Sequence, residues 1–374
     1  MDSHSNTRTT EEHVLNYFHQ AEAHFTSLIE MEDLDRCICI DASITRKFEL
    51  ALGIAIRSAF SGVANHHPHH LFLQRVLYRI NRLKFFWYDD FSNYKNERSD
   101  YLRRVQHRIE AAWEAWELDQ LSFKGSSEEG DVFAGLRRRA AEDLAPTPSQ
   151  EGIYFRDHMG MSGYRKLLQI ASLDGLVEAS QLSRTLGGVS NEIHAMMTRL
   201  LVEEYGGGRL SRKHSSYFSH MLEELDISAL PEAHFEVVPW EVLATINHSF
   251  LVSEQKRFFL RYVGGLLHTE ISVPAVFDSY RIAAERLGMS EKARGYWDLH
   301  IKEDERHGRW MLNDVALPLA EMYPRNASDL RLGYDQQKFM SNRAGKATAE
   351  IVRQADIPTF VPQVLHEASL EAAA

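Results

Sequence analysis

Residues 295–308 read Gly-Tyr-Trp-Asp-Leu-His-Ile-Lys-Glu-Asp-Glu-Arg-His-Gly, with His300, Asp304 and His307 at positions i, i+4 and i+7. A helix turns about 100° per residue, so the three fall within roughly 60° of one another and leave one rigid rod in the same direction. Two imidazoles and a carboxylate suit a first-row transition metal, iron above all where oxygen is the co-substrate. The competing reading is a polar, solvated helix face, because Lys302, Glu303, Glu305 and Arg306 are close by.

Three upstream residues could complete such a site. Glu204 stands near the end of a helical segment closing Leu-Leu-Val-Glu-Glu-Tyr-Gly, and His214 falls in the first turn of the next helix. A hairpin with so short a loop folds antiparallel, which turns both side chains toward one place. Glu270 lies among Leu266, Leu267, Ile271 and Val273, and a carboxylate in such surroundings needs a cation or a metal to offset its desolvation. His268 competes with it but points about 200° away round the helix. Glu204, His214, Glu270, His300, Asp304 and His307 together offer three carboxylates and three imidazoles from separate helices, a set suited to two metals as in helix-bundle di-iron proteins. Zinc fits less well, since structural zinc takes four ligands, usually including cysteine, and neither cysteine is near in sequence. Magnesium rarely uses three histidines.

The elements that must position these residues read as helices. Residues 9–30 place Leu15, Phe18 and Ala21 on one face, and 43–61 carry Ile44, Phe48, Leu50, Ala51, Ile54, Ala55 and Ile56, a helix expected to be well buried. The segments 70–90 and 98–122 are aromatic-rich, and Trp87, Tyr88, Trp113 and Trp116 read as core or subunit-interface packing. His66, His67, His69 and His70 surround Pro68, which reads as an exposed loop. Residues 124–150, with their Gly, Ser and Pro, read as a linker in which Arg137, Arg138 and Arg139 form a solvated face. Helices resume over 164–186, 191–205, a segment capped by Ser211 and running to about 225, then 240–249, 254–267 with a stop before Pro274, 276–287, and the Ser290-capped helix of the triad. Periodicity lapses after Pro324 and returns weakly at 329–353. No strand alternation and no internal repeat is visible, so the class is all-α.

Composition limits the functions on offer. The chain of 374 residues is 44% hydrophobic and 25% charged, as in a globular protein with room for one large domain or two ordinary ones. Its formal net charge of −11 argues against nonspecific binding to nucleic acid or anionic membrane. Cys37 and Cys39, one residue apart, are poorly placed for a disulfide, which suggests a reducing, cytoplasmic setting. Neither a signal peptide nor a membrane span is expected from the start of the chain or its apolar runs.

Glu-Tyr-Gly-x-Gly followed by His, then Glu in Gly-x-Leu-x-x-x-Glu, then His-x-x-x-Asp-x-x-His resembles the haem-oxygenase-like di-iron oxidases, over roughly residues 163–323. The order and spacing of the six residues resemble the N-oxygenase branch, whose members hydroxylate a guanidine or carry an amine to nitro. By that resemblance the fold is a haem-oxygenase-like helical bundle behind an N-terminal helical domain. The division is then 1–123 for a dimerisation domain, 124–150 for the linker, 151–330 for the di-iron domain and 331–374 for a C-terminal helix and tail. The resemblance makes Glu204, His214, Glu270, His300, Asp304 and His307 the ligands of two Fe(II) ions. It puts Glu178, on the helix before Glu204, and Ser211 in supporting positions behind them. Ser211 stands where some relatives have a carboxylate, which implies a thinner ligand set for the second iron. No cupin-like β domain is expected after the di-iron domain.

The chemistry implied is oxidation of an amino or guanidine nitrogen by O2 through a peroxo-diferric species, with an external electron donor. The product is a hydroxylamine or nitro compound, with 2-aminoimidazole to 2-nitroimidazole as one example. Other branches perform C–C cleavage, desaturation or decarboxylation of an amino acid or fatty acid. A long apolar tunnel would favour a lipid; a small pocket with a carboxylate beyond the ligands would favour a cationic nitrogen substrate. A non-enzymatic helical partner-binding protein is the third reading, which iron binding would separate.

Overall fold

The computed structural model describes residues 3–61, 67–85, 91–123, 131–188 and 191–358, and no strand occurs among them. In chain order the α-helices are α1 (Ser3–Ile29), α2 (Leu34–Ile40), α3 (Arg46–Ala59), α4 (His67–Phe85), α5 (Asp100–Phe123), α6 (Val132–Leu144) and α7 (Gln150–Ile153). They continue with α8 (Met161–Gly175), α9 (Glu192–Glu204), α10 (His214–Glu224), α11 (Trp240–Glu254) and α12 (Phe259–Arg286). The last are α13 (Glu291–Trp310), α14 (Leu317–Met322) and α15 (Ser328–Ala355). No helix among the described residues is long and apolar enough to cross a membrane.

The N-terminal helices do not close a core of their own. Phe25, Phe48, Phe72 and Trp113 are buried with Trp240 and Leu251 of α11 and Met340 of α15 in one apolar cluster. Packing therefore runs across the divisions expected at residues 123 and 330. The segment expected as a linker contains α6, whose Leu136 is buried against α12 and α15. Arg139 is not on a solvated face: its guanidinium grips the Asp335 carboxylate through two bonds of 2.6 and 2.8 Å, the fork geometry that suits arginine to a partly buried pair.

Several helix limits differ from the sequence expectation for physical reasons. Pro68 does not exclude a helix, because proline is tolerated in a first turn whose N–H groups have no intrahelical partner. Accordingly α4 starts at His67, and His70 is buried with its ring stacked 4.3 Å from that of Trp240. The helix α3 is amphipathic rather than buried all round, with Leu50 59% and Ile54 39% exposed. His66, Trp87, Tyr88, residues 124–130 of the linker and the tail from 359 lie outside the described residues.

The bundle that holds the candidate site is centred on α12, which packs most extensively on α13 and α15. It crosses Pro274 without stopping. Proline there cannot donate to the carbonyl of Glu270 four residues earlier, and Gly308 of α13 lies against that same carbonyl, where an added Cβ would come within 3.1 Å of it. The crossing of α12 and α15 is closer still. A Cβ on Gly264 would lie 2.0 Å from the Leu330 carbonyl oxygen, and one on Gly333 would lie 2.0 Å from that of Arg261. Backbone cannot yield as a flexible side chain can. Gly333→Ala is therefore expected to destabilise the chain by about 3 kcal/mol, the upper end of ordinary overpacking. Urea denaturation measures this, and an unchanged midpoint would contradict the close crossing.

Candidate metal centre

Each candidate side chain owes its place to a local feature of the sequence. Ser290 accepts a hydrogen bond from the Ala293 N–H and starts α13, which then delivers His300, Asp304 and His307, all buried, to one face. Glu204 is the last residue of α9 and His214 the first of α10. Between them Gly206, Gly207 and Gly208 all take positive φ, of 61°, 64° and 77°, a left-handed run that only glycine adopts without penalty. This reversal sets Glu204 Oε2 2.8 Å from His214 Nδ1. A carboxylate at a helix C-terminus is disfavoured by the helix dipole, so something other than local propensity holds Glu204 there.

Ser211, expected as a helix cap and a supporting residue, is neither. It lies exposed in the tight turn Leu210–Arg212, and α10 begins after the extended residue Lys213 without a side-chain cap. Glu178 is also placed differently. The helix expected to run to 186 ends at Gly175, where an added Cβ would come within 3.1 Å of the Phe218 ring. The chain then turns through Ala179 at φ 61°, so Glu178 reaches inward from a turn rather than from a helix.

All six expected residues converge, and Glu178 joins them. His214 Nδ1 is 3.2 Å from His300 Nε2, and His300 Nε2 is 3.6 Å from Glu178 Oε2. His307 Nδ1 is 3.5 Å from Glu204 Oε1, 3.4 Å from Glu270 Oε2 and 3.6 Å from Asp304 Oδ1. Glu178, Glu204, His214 and His300 can offer donor atoms to one ion, and Glu204, Asp304 and His307 to another. Glu270 stands beside the second group through His307, and Glu204 belongs to both. His268 takes no part: it is buried against Tyr334, with ring centroids 5.1 Å apart.

The residues around the cluster fix which nitrogen faces it. His300 Nδ1 lies 2.9 Å from the Tyr296 carbonyl, so its N–H donates outward and Nε2 turns its lone pair inward. His307 Nε2 is 3.0 Å from Glu203 Oε2, which leaves Nδ1 facing the carboxylates. Such outward bonds are the usual means of orienting a metal-binding imidazole. Tyr296 donates from its hydroxyl to Glu178 Oε2 at 2.6 Å. Sequence reasoning missed Glu203 and Tyr296; the adjacent Glu203-Glu204 pair and the position of Tyr296 one turn before His300 were the available signals. Glu203 also grips Arg306, so the outer grouping of Glu203, Glu303 and His307 is already an ion-pair network.

The electrostatics of the cluster point to the kind of ligand it suits. Burial and the charge of Glu204 push Glu178 well above the ordinary carboxylate range. Burial, with Glu270 and Glu204 nearby, does the same to Asp304, and burial raises Glu270. Burial acts on Glu204 in the same sense, but the hydrogen bond and charge of His214 overcome it and hold it low. Burial alone would lower His307, yet its contacts with Asp304, Glu270 and Glu203 push it up to about 11. His300 is held down to about 4 by burial. Four carboxylates converging in a buried site are costly without cations. Glu178 Oε1, Asp304 Oδ1 and His307 Nδ1 are buried with no hydrogen-bond partner. Unsatisfied inward-facing donors of mixed N/O type, with four negative charges to balance, fit two divalent first-row metals.

Beside the cluster lies a cavity of about 250 Å³. Glu178, Glu204, Glu270, His300 and Asp304 form one side, and Val252, Tyr262, Leu266 and Phe277 supply apolar wall.

Residues 165–336 match a family described as iron-containing redox enzyme, a span that contains all seven converging side chains. The nitrosourea synthase of Streptomyces achromogenes subsp. streptozoticus is 28% identical over 158 residues, 42% of this chain and 33% of that protein. The chain thus spans about a third of the length of that curated relative.

Proposed function

From the match of residues 165–336 to a family described as iron-containing redox enzyme and the partial likeness to a nitrosourea synthase, we propose that the chain is a haem-oxygenase-like, O2-dependent N-oxygenase with two Fe(II) ions. Its substrate is a small amine or guanidine. The observation that carries the reading is the meeting of four carboxylates and three imidazoles around Glu204, on one side of a small cavity. Glu178, Glu204, His214 and His300 would hold one iron, and Glu204, Glu270, Asp304 and His307 the other, with Glu204 shared. Glu178 is thereby assigned as a ligand rather than a supporting residue, and the set is not thinned by Ser211.

Bound iron supplies the redox chemistry that activates dioxygen. The chain's own residues do the rest. Glu203 and the Tyr296 carbonyl orient His307 and His300. The Tyr296 hydroxyl steadies Glu178, and the Phe277 ring covers His300 edge-on at 5.3 Å between centroids, which keeps water from that side. The substrate nitrogen gains one oxygen atom of O2 as the O–O bond breaks. The other atom leaves as water, with two electrons from an external donor and two protons. Repetition carries a primary amine beyond hydroxylamine toward nitro.

Two observations favour nitrogen over a lipid chain as the target. The cavity is small and polar in part, with a carboxylate, Asp174, in its wall beyond the ligands. The relative's name describes a nitrosourea, a product with oxidised nitrogen. A homodimer through the N-terminal helices and a separate electron donor belong to the same proposal. The test is a single-turnover reaction of Fe(II)-loaded protein with 18O2, a reductant and a panel of amines, guanidines and 2-aminoimidazole, read by mass spectrometry. One 18O on a substrate nitrogen is expected; label found only on carbon, or alkene from a fatty acid, would overturn the reading.

A further inference from the structure

Three oxidisable rings stand in series between the metal cluster and the surface. Tyr296 is buried, its ring centroid 4.3 Å from that of His300 and its hydroxyl bonded to Glu178 Oε2 at 2.6 Å. Trp297, 1% exposed, meets Tyr296 edge-on with centroids 5.0 Å apart. Tyr280 of α12 follows, 5.4 Å from Trp297 between centroids and only half-buried. Ring spacings of this kind are ordinary in an apolar core, and Tyr296, Trp297 and Tyr280 do belong to one, so contact alone decides nothing. Packing does not require the chemistry of the series. Each member is a phenol or an indole, the aromatic side chains that lose one electron reversibly. At the inner end the phenol proton has an acceptor in Glu178, so Tyr296 can lose an electron and a proton together and leave no charge behind in a buried place. The Trp297 Nε1–H likewise donates to the Tyr164 hydroxyl at 2.9 Å.

Trp310 also lies beside the cluster, 5.7 Å from the His307 ring between centroids, and is itself half-buried. The Arg199 and Arg306 guanidiniums face its ring at 4.0 and 4.9 Å. Both also pair with Glu203, but they are the charges laid against the indole. Cations on an aromatic face hold its electrons, and an oxidised Trp310 would set a third positive charge against two. Neither Tyr296 nor Trp297 has a cation against its ring among the contacts described. We propose that Tyr296, Trp297 and Tyr280 form an escape route for oxidising equivalents, which protects the site when O2 reacts at the metals with no substrate in the cavity. Tyr296 gives one electron to the oxidised metals, and its proton passes along the hydrogen bond to Glu178. Trp297 then returns an electron to Tyr296, which takes its proton back. Tyr280 returns one to Trp297 and loses its own phenol proton to solvent. A soluble reductant of the thiol or ascorbate class restores Tyr280 with one electron and one proton. In sum one electron passes from solvent to the metals, and no side chain is left oxidised. The proposal rests on the iron-and-oxygen reading of the site and is independent of the substrate's identity.

The test uses full-length protein loaded anaerobically with Fe(II), its iron content measured first. It is mixed with O2 without substrate or reductant and frozen at intervals for electron paramagnetic resonance. The wild type is expected to show an organic radical whose signal narrows when the protein is made with ring-deuterated tyrosine. Tyr296→Phe is expected to lose at least tenfold in that signal. Because Tyr296→Phe also removes a bond to Glu178, Tyr280→Phe provides a second variant away from the cluster. It is expected to keep its iron, to hold the inner radical at least tenfold longer, and to shift oxidative damage, mapped by peptide mass spectrometry, onto Trp297. Trp310→Phe is expected to change neither signal nor damage. The proposal is overturned if the iron-loaded wild type gives no radical on exposure to O2, or if Tyr296→Phe gives the wild-type radical. It is equally overturned if Tyr280→Phe alters neither lifetime nor damage, or if Trp310→Phe abolishes the radical. Failure of the wild type to hold iron shows in the first assay and would instead strike the metal reading, so the two failures are separable.

Discussion

Glu204→Ala is expected to leave a folded chain that retains less than one iron and has no oxygen-dependent turnover. Glu204 is the one carboxylate with donor atoms in both metal groupings, between His214 on one side and His307 on the other. On the proposed reading its loss would remove a ligand from each ion at once. The helices that carry the cluster pack through apolar cores away from it, so the chain should still fold. Glu204 is held low by His214 against the effect of its burial and so contributes stability at neutral pH; metal-free Glu204→Ala is therefore expected to unfold at a somewhat lower temperature than metal-free wild type. The wild type is expected to gain heat stability on adding Fe(II), as a protein does from a ligand bound by the native state alone, and the variant is expected not to. Thermal scans with and without Fe(II), beside an iron assay, check both halves.

The second large effect is on pH. In the metal-free protein His307 is held up to about 11 by Asp304, Glu270 and Glu203 against the opposing effect of its burial, so it carries a proton at neutral pH. Iron needs the neutral imidazole, and so binding must expel that proton. Glu178, Asp304 and Glu270 are shifted upward as well and hold any further protons that iron displaces. The sign follows from linkage: protons and iron compete, so affinity falls as pH falls. One displaced proton corresponds to tenfold in affinity per pH unit. Between pH 8 and 6 the apparent Fe(II) affinity is expected to fall by roughly a hundredfold or more. Titrations in weakly chelating buffer at the two pH values measure it, and proton release on binding can be read directly in unbuffered solution. An affinity independent of pH would mean that His307 is not displaced from its carboxylate partners by metal.

How much of this was readable in the chain depends on how local each cause is. The triad was readable because helical period alone puts His300, Asp304 and His307 on one face, and Ser290 fixes where that helix starts. The Glu204–His214 hairpin was readable because three glycines leave few other courses for the chain. Glu178 was expected on a helix but lies in a turn, because α8 ends at Gly175, which packs against Phe218, a neighbour distant in sequence. The course of α12 through Pro274 and the burial of His70 and Arg139 were hidden for the same reason: tertiary partners overrode local signals. Glu203 and Tyr296 look like ordinary helix residues until the fold shows which way they face.

The central claim is that seven side chains cage two iron ions, and an anaerobic Fe(II) titration of the purified chain tests it most directly. Two irons bound per folded wild-type chain, and fewer than one in Glu204→Ala, is the predicted result. A wild type that holds no more iron than Glu204→Ala would contradict it.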